Sequence, residues 1–203
     1  MNIGVDVDGV LRNIFPAMAK AYFKNGGHKY WRFKDFKDYD ITKYMDLVNG
    51  KEAFFRENAE EIFHNAKMTK YANWINCIPE KHQVSIVTSQ FRGLEDLTID
   101  WLKENGIAYD AIYFTWRKNL ILVDALVDDY PVNLDMMKDS VVKVCYDAPY
   151  NRRWEGIRTK NMKDFVENVL PKVELSYEIG QSLDMDSYRE LDISKFVKKK
   201  NEN

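Results

Sequence analysis

Residues 3–11 read Ile-Gly-Val-Asp-Val-Asp-Gly-Val-Leu, and this stretch decides the fold. It begins as a short apolar run, typical of a buried strand, and continues into two carboxylates, Asp6 and Asp8, and then Gly9, which can make a sharp turn. Short apolar runs rich in β-branched residues recur at residues 3–7, 84–87, 111–114, 125–127 and 141–145. These runs predict buried strands.

Helical patterns alternate with these strands. Apolar residues at helical spacing over residues 94–102 are followed by Asn105-Gly106, a helix stop signal. A similar pattern over residues 162–170 precedes Pro171 and predicts a closing helix that ends there. The alternation predicts an α/β fold with a Rossmann-like parallel sheet.

The interval between the first two predicted strands is too long for one crossover, because βαβ units usually take about 30 residues. Residues 15–74 hold half of the chain's Phe, Tyr and Trp residues and two helical patterns, at residues 15–24 and 51–66. We therefore predict an α/β core formed by residues 1–14 and 75–172, a small helical cap inserted at residues 15–74, and a polar C-terminal extension at residues 173–203. We assign the extension no function.

Composition narrows the class of protein. The chain has 203 residues, 45% of them hydrophobic, and a net charge of -2, so it has enough apolar material for a core and no general field for nucleic acid or membrane. An anionic ligand must be held by a local site. The two cysteines, Cys77 and Cys145, lie far apart, and we see neither a leader segment nor a membrane-length apolar run. We expect a cytoplasmic protein with no membrane and no stable nucleic-acid partner, and leave a homodimer open.

An Asp-x-Asp pair alone carries little information, because it occurs three times in this Asp-rich chain, also at Asp38/Asp40 and Asp184/Asp186. Only the pair Asp6 and Asp8 directly follows a predicted strand at the start of the domain. Open α/β sheets bind ligands at the carboxyl ends of their strands. The same pair also suits a turn or a helix cap, so its position alone does not decide between the two interpretations.

Three further features end predicted strands in the same way. Thr88 and Ser89 follow the second strand, Lys118 lies in the loop after the third, and Asp128 and Asp129 follow the fourth. Separately, each has a structural interpretation as a cap, a solvated lysine or a turn. Together they supply a nucleophile, an acid, hydroxyl donors, a cation and metal ligands, the groups that phosphoryl transfer uses.

In this order, the motifs resemble the four signature motifs of the haloacid dehalogenase-like phosphohydrolases, and within that superfamily the 5'(3')-deoxyribonucleotidases. The resemblance covers roughly residues 1–170, including the inserted cap and the Pro149-Tyr150-Asn151 loop. The chain departs from the pattern at Gln90, where proline is common after Thr-Ser, and at Arg12-Asn13, where a small residue and a carboxylate are common. These departures put the substrate in doubt more than the reaction class.

The resemblance and the chemistry of the residues lead to the same expected roles. Asp6 is expected to be the nucleophile that forms an aspartyl-phosphate. Asp8 would protonate the leaving oxygen and then deprotonate water, with its proton held by the crowded negative site. Thr88 and Ser89 would bind phosphate oxygens, and Lys118 would bind the phosphate and offset its charge in the transition state.

A carboxylate attacking a phosphate ester also needs a divalent cation to offset repulsion. We expect Mg²⁺, held by Asp6, one or both of Asp128 and Asp129, and the backbone carbonyl of Asp8, because Mg²⁺ prefers oxygen ligands. The cap is expected to recognise the nucleobase, with Trp31 or Phe33 as the candidate aromatic residues; for each single aromatic residue, core packing is the competing role.

The expected function is Mg²⁺-dependent hydrolysis of deoxyribo- or ribonucleoside monophosphates to nucleoside and phosphate. One alternative keeps the chemistry and changes the substrate to a polynucleotide 3'-phosphate or a sugar phosphate. Another is a non-catalytic module that binds a nucleotide. The complete set of acidic, hydroxyl and lysine positions argues against the non-catalytic module.

Overall fold

The computed structural model describes residues 1–190, with side chains described up to residue 182. Within that range six strands form one sheet: β1 (Asn2–Val5), β2 (Gln83–Thr88), β3 (Ala111–Phe114), β4 (Ala125–Asp128), β5 (Val142–Tyr146) and β6 (Ile157–Thr159). The strand order is β3-β2-β1-β4-β5-β6, and every neighbouring pair is parallel. The predicted parallel α/β sheet is confirmed.

Strand β1 lies inside the sheet, between β2 and β4. Its last residue, Val5, pairs with Ile86 on one side and Val127 on the other, and all three are fully buried. The prediction that β3 is buried is wrong, since β3 is an edge strand and Tyr113 is 39% exposed. The opposite edge strand, β6, was not predicted, because three residues that include Arg158 give no apolar run.

Helices follow β1, β2, β4 and β6, as the alternation predicts, whereas 3₁₀ turns follow β3 and β5. The helices are α1 (Ile14–Lys24), α2 (Gly50–Glu57), α3 (Glu95–Glu104), α4 (Pro131–Asp135), α5 (Met162–Asp164) and α6 (Leu170–Glu190), with π-helical turns at Glu60–His64 and Phe165–Val169. The predicted stop of α3 is confirmed: Asn105 ends the helix, and Gly106 has φ +65°. Among residues 1–190 no helix is both long and apolar enough to cross a membrane.

The predicted end of the closing helix before Pro171 is wrong, because helical structure continues into α6 as far as Glu190. A proline lacks a backbone N–H and its ring crowds the carbonyl four residues earlier. The π-helical turn Phe165–Val169 directly precedes this position, and its wider hydrogen-bond spacing accommodates the proline. Val173 is fully buried in the core. Residues 191–203, including the predicted lysine-rich end, lie outside the described residues.

The cap consists of α1, α2, the π-helical turn Glu60–His64 and short 3₁₀ turns, packed around a second hydrophobic cluster separate from the core cluster. The chain returns to the core where the Thr69 amide donates to the Leu11 carbonyl at 2.8 Å. Ala72 and Ile75 are buried in the core cluster. We therefore propose that the cap ends before Thr69, earlier than the boundary at residue 74 predicted from the sequence.

Candidate active site

Three carboxylates meet where β1 and β4 end side by side. Asp6 follows β1, and its backbone amide donates to the Val127 carbonyl at 3.0 Å. Asp128 is the last residue of β4, and Asp129 follows it. Oxygen atoms of Asp6, Asp128 and Asp129 all lie within 4.8 Å of one another, and all three residues are buried. The parallel register therefore forms an acidic cluster from residues distant in sequence.

The turn after β1 requires a glycine. Gly9 has φ +91°, a backbone conformation that residues with a Cβ atom rarely adopt. A Cβ atom at this position would also lie 1.9 Å from Oδ2 of Asp129. Gly9 thus allows the first motif to approach the fourth motif closely.

Lys118 supplies the positive charge of the cluster. It begins a 3₁₀ turn after β3, is 2% exposed, and places Nζ 2.8 Å from Oδ1 of Asp6 and 2.7 Å from Oδ2 of Asp128. Burial disfavours its charged form, but Asp128 and Asp6 outweigh burial and raise the pKa of Lys118 above its ordinary value. Lys118 is therefore a fixed cation at the base of the site.

Asp128 and Asp129 differ in how their oxygens are used. Asp128 accepts from Lys118 and from Asn133 at Oδ2, and from the Tyr130 amide at Oδ1. Asp129 accepts from the Tyr150 hydroxyl at Oδ2, whereas its buried Oδ1 has no hydrogen-bond partner among the described residues.

Burial and neighbouring carboxylates also act on the protonation of the pair. Burial first, and then the charges of Asp6 and Asp128, raise the pKa of Asp129 well above its ordinary value. Burial likewise raises the pKa of Asp128, although Lys118 opposes that shift. A bound divalent cation would relieve this repulsion and occupy the free oxygen of Asp129, so the cluster fits Mg²⁺.

A cavity opens above the acidic cluster, and the remaining predicted residues of the sheet edge line it. Thr88, Ser89 and Asp8 lie on its wall together with Asp6 and Lys118. The Ser89 hydroxyl donates to the Thr115 carbonyl at 3.1 Å. Burial raises the pKa of Asp8 above its ordinary value, against the opposing effect of the neighbouring Arg12. The structure thus brings together every predicted polar and charged site residue.

Aromatic side chains close the cavity from both sides. The cap contributes Tyr39, Phe55 and Phe63, and the core contributes Phe91, Trp116 and Tyr130. Ring centroids lie 5.6 Å apart for Phe55 and Phe91, 5.7 Å for Phe91 and Trp116, and 3.8 Å for Tyr39 and Tyr130. The cavity thus has an acidic base and aromatic walls.

Trp31 does not line this cavity. It is 9% exposed and packs edge-on against Phe36 at 5.0 Å within the cap cluster. Phe33 packs on Phe15 at 4.1 Å. Trp31 is buried in the cap and does not line the cavity, so the site proposed below does not include it.

Sequence reasoning did not select Asn133, Tyr150 or Tyr39. Asn133 lies two residues beyond Pro131 with no recognisable signal, although it donates to Asp128 at 3.0 Å. Tyr150 was noted only as part of the loop after β5, but its hydroxyl donates to Asp129. Tyr39 lies between Asp38 and Asp40, a pair that follows no predicted strand, and its ring stacks on Tyr130.

Several solved structures share this fold. A haloacid dehalogenase-like hydrolase from Streptococcus pneumoniae matches with a TM-score of 0.57 and 14% identity, over 80% of this chain and 95% of that one. A hydrolase of the same type from Xanthomonas campestris matches with a TM-score of 0.56 and 9% identity, over 88% and 93%. The chain thus has the fold of the haloacid dehalogenase-like hydrolases.

Sequence comparison gives the family. Residues 1–173 match the model of the family "5' nucleotidase, deoxy (Pyrimidine), cytosolic type C protein", and the chain belongs to this family. A 5'(3')-deoxyribonucleotidase from Clostridium acetobutylicum is 27% identical over 154 residues, which is 74% of this chain and 83% of the relative. A nucleotidase from the same organism is 22% identical over 164 residues, 75% and 83% of the two chains. The protein is a phosphoric monoester hydrolase.

Proposed function

We propose that this protein is a Mg²⁺-dependent nucleotidase that hydrolyses deoxyribo- and ribonucleoside monophosphates through an aspartyl-phosphate on Asp6. One observation carries the proposal: Asp6 lies 2.8 Å from the buried cation Lys118 at the base of a cavity with aromatic walls. The base of the cavity suits a phosphate and its walls suit a nucleobase. The matched family and the relatives that are named nucleotidases support the same substrate class.

In the first step a carboxylate oxygen of Asp6 forms a bond to phosphorus, and the bond from phosphorus to the nucleoside oxygen breaks. The leaving oxygen takes the proton of Asp8, so the nucleoside departs as a neutral alcohol. Asp8 is placed for this role because it lines the same cavity, two residues after Asp6.

In the second step water attacks the phosphorus of the aspartyl-phosphate. Asp8, now a carboxylate, accepts a proton from that water, and the phosphorus–oxygen bond to Asp6 breaks. The products are inorganic phosphate and the original Asp6 carboxylate, and Asp8 is protonated again. Atoms and charge balance without another reactant.

Lys118, Thr88 and Ser89 would hold the phosphoryl group during both steps. Lys118 already spans Asp6 and Asp128, so its charge is in place before the negative charge of the transition state develops. Thr88, the last residue of β2, and Ser89, which follows it, line the same cavity and offer hydroxyl and backbone N–H donors to phosphate oxygens.

Mg²⁺ would be held by the carboxylate of Asp6, by one or both of Asp128 and Asp129, and by the backbone carbonyl of Asp8. Of the two adjacent acids we assign the direct bond to Asp129, because its Oδ1 has no partner among the described residues while both oxygens of Asp128 are used. When bound, the metal supplies positive charge that offsets the repulsion between Asp6 and the phosphate.

The nucleobase would lie among the aromatic walls. Trp116 is 61% exposed and Phe91 lies 5.7 Å from it, so both offer ring surface at the entrance. Stacking on such rings contributes roughly 1–3 kcal/mol per base and depends little on which base is bound. The structure thus supports nucleotide binding without favouring one base.

The test is phosphate release from a panel of deoxyribo- and ribonucleoside monophosphates, including dUMP and dTMP, with and without Mg²⁺. Asp6→Asn should lower turnover by about 10³-fold or more and abolish the acid-stable phosphorylated protein in a quenched reaction. The matched control is Asp100→Asn, an exposed change on α3, which should retain wild-type activity. Full activity in Asp6→Asn, or activity on other phosphate esters and on no nucleotide, would contradict the proposal.

A further inference from the structure

Arg12 is a fully buried cation beside the proposed acid–base residue. Its Nε lies 2.6 Å from Oδ1 of Asp8, and its Nη2 lies 3.1 Å from Oδ2, so the guanidinium binds both oxygens of that carboxylate. Two more hydrogen bonds hold the guanidinium: Nη1 donates to the Phe63 carbonyl, and Nη2 donates to the Thr98 hydroxyl at 3.1 Å. Asp8 is therefore paired with a cation that is itself held in place.

Packing fixes the guanidinium further. It lies between the rings of Phe63 and Trp101, with its carbon 5.2 Å and 5.3 Å from the two ring centroids. The Thr98 hydroxyl that accepts from Arg12 also accepts from the Gln90 amide at 3.0 Å. Both unusual residues of the first two motifs, Arg12 and Gln90, thus meet at one hydroxyl group on α3.

The backbone of Arg12 occupies the junction between core and cap. The next residue, Asn13, donates its amide to the Lys67 carbonyl at 2.8 Å, which ties the segment entering the cap to the segment leaving it. Arg12 also forms an isolated bridge with Met68. The Phe63 carbonyl that accepts from Arg12 belongs to the π-helical turn of the cap, a local irregularity that often marks functional positions.

A planar guanidinium that binds both oxygens of a carboxylate fixes the orientation of that carboxylate. A lysine ammonium is a point charge and does not fix it in this way. The bonds from Arg12 to Phe63 and Thr98 hold the guanidinium, so an Asp8 side chain that rotated away from it would lose the paired bonds. The Asp8 side chain is 14% exposed and lines the cavity, and a carboxylate oxygen that accepts one hydrogen bond from Arg12 keeps a second lone pair for the substrate side.

We propose that Arg12 is a positioning residue that aims the Asp8 carboxyl group at the leaving oxygen of the substrate, with Thr98 and Gln90 completing its support. The proposal rests on the proposed function, in which Asp8 gives its proton to that oxygen. Arg12 itself touches no substrate in this arrangement. It acts through Asp8 alone, and this separates it from a buried ion pair that only maintains the fold.

The leaving group of the substrate provides the test. A nucleoside alkoxide leaves poorly unless it is protonated, whereas p-nitrophenolate leaves as a stable anion. The value of kcat/KM includes only the steps up to loss of the leaving group, so it reports the first proton transfer alone. We would measure kcat/KM for dUMP and for p-nitrophenyl phosphate in wild type, Asp8→Asn and Arg12→Lys.

Arg12→Lys should lower kcat/KM for dUMP by about 10- to 100-fold more than for p-nitrophenyl phosphate, because a misdirected acid loses much of the 10²–10⁴-fold that such groups supply. Asp8→Asn should show the same preference, more strongly. The double variant Asp8→Asn/Arg12→Lys should be no worse than Asp8→Asn, since both changes act on the same proton transfer.

Two outcomes would overturn the inference about Arg12 and leave the proposed function intact. One is an equal loss of kcat/KM on the two substrates in Arg12→Lys, and the other is losses that add in the double variant. If Arg12→Lys does not fold, Thr98→Val replaces it, with Thr98→Ser as the matched variant that keeps the hydroxyl; equal losses on both substrates in Thr98→Val would likewise overturn it. No dUMP turnover by the wild type, or unchanged turnover in Asp8→Asn, would instead overturn the proposed function and the inference with it.

Discussion

Lys118 and Lys51 reach the same cavity from opposite sides, Lys118 from the core and Lys51 from the cap. Lys118 is 2% exposed and bound to two carboxylates. Lys51 is partly exposed, and its Nζ lies 5.8 Å from the centroid of the Tyr39 ring. Neighbouring acids raise the pKa of Lys118, whereas burial lowers the pKa of Lys51 against a weaker opposing effect of Asp40.

This difference extends to the two regions as a whole. At the sheet edge each charged group has fixed hydrogen-bond or ion-pair partners. These partners hold the group in position before the substrate binds, as electrostatic catalysis requires. The cap side of the cavity is formed mainly by rings, whose contribution depends on area and stacking. We therefore expect changes at the core side to lower kcat and changes at the cap and entrance to raise KM.

The largest effect is expected for Lys118→Met, which keeps the length of the side chain and removes its charge. Loss of a fixed cation next to the transferred phosphoryl group should lower kcat by about 10²–10³-fold. Steady-state phosphate release from dUMP would measure it. Lys103→Met, an exposed change on α3, is the control, and a Lys118→Met enzyme with near-normal kcat would remove Lys118 from the chemistry.

Metal binding gives the next largest effect, and it can be measured without turnover. At 100 times the Kd, Mg²⁺ should stabilise the wild type by about 2.7 kcal/mol, or roughly 5–10 °C in Tm for a chain of this size. Asp129→Asn should abolish that shift, because it removes the carboxylate whose Oδ1 has no partner. Thermal unfolding of both proteins with and without Mg²⁺ is the measurement. An equal shift in both would place the metal elsewhere.

The two regions also differ in how far the sequence predicts them. Asp6, Asp8 and Asp128 could be located from sequence because each follows an apolar run, and parallel strands bring their carboxyl ends to one edge. The hydrogen bond from Tyr150 to Asp129 depends on a loop conformation that no periodicity encodes. The edge position of β3 depends on strand order, which residue patterns alone do not determine.

The aromatic residues of the cap were the least predictable. Aromatic rings serve equally well in a core and in a binding site, and the sequence gives no sign of which face each presents. The aromatic-rich segment therefore indicates Trp31 as a candidate, although Trp31 is buried against Phe36. Trp116, in a loop of the core, has the exposed ring, yet it lies outside the aromatic-rich segment and no sequence pattern indicates it.

The two tryptophans allow a direct test of the proposal that Trp116, and not Trp31, contacts the nucleobase. Trp116→Ala should raise KM for dUMP by about tenfold, the loss of one stacking contact, and leave KM for glycerol phosphate unchanged. Trp31→Phe should instead lower the free energy of unfolding by about 1–3 kcal/mol and keep the wild-type ratio of the two KM values. The reverse pattern, with selectivity lost in Trp31→Phe, would restore Trp31 to the binding site.

The smallest effect is expected for Lys51→Met. A partly solvated cation near a dianionic phosphate contributes about 1 kcal/mol, so KM for dUMP should rise by about fivefold with kcat nearly unchanged, and the increase should shrink as salt screens the charge. Kinetics at low and high ionic strength would measure both. Lys20→Met, which removes an exposed lysine of the cap paired with Glu61, is the matched control. A fall in kcat in Lys51→Met would show that the cap takes part in the chemical step, and the division between a catalytic core and a selective cap would then fail.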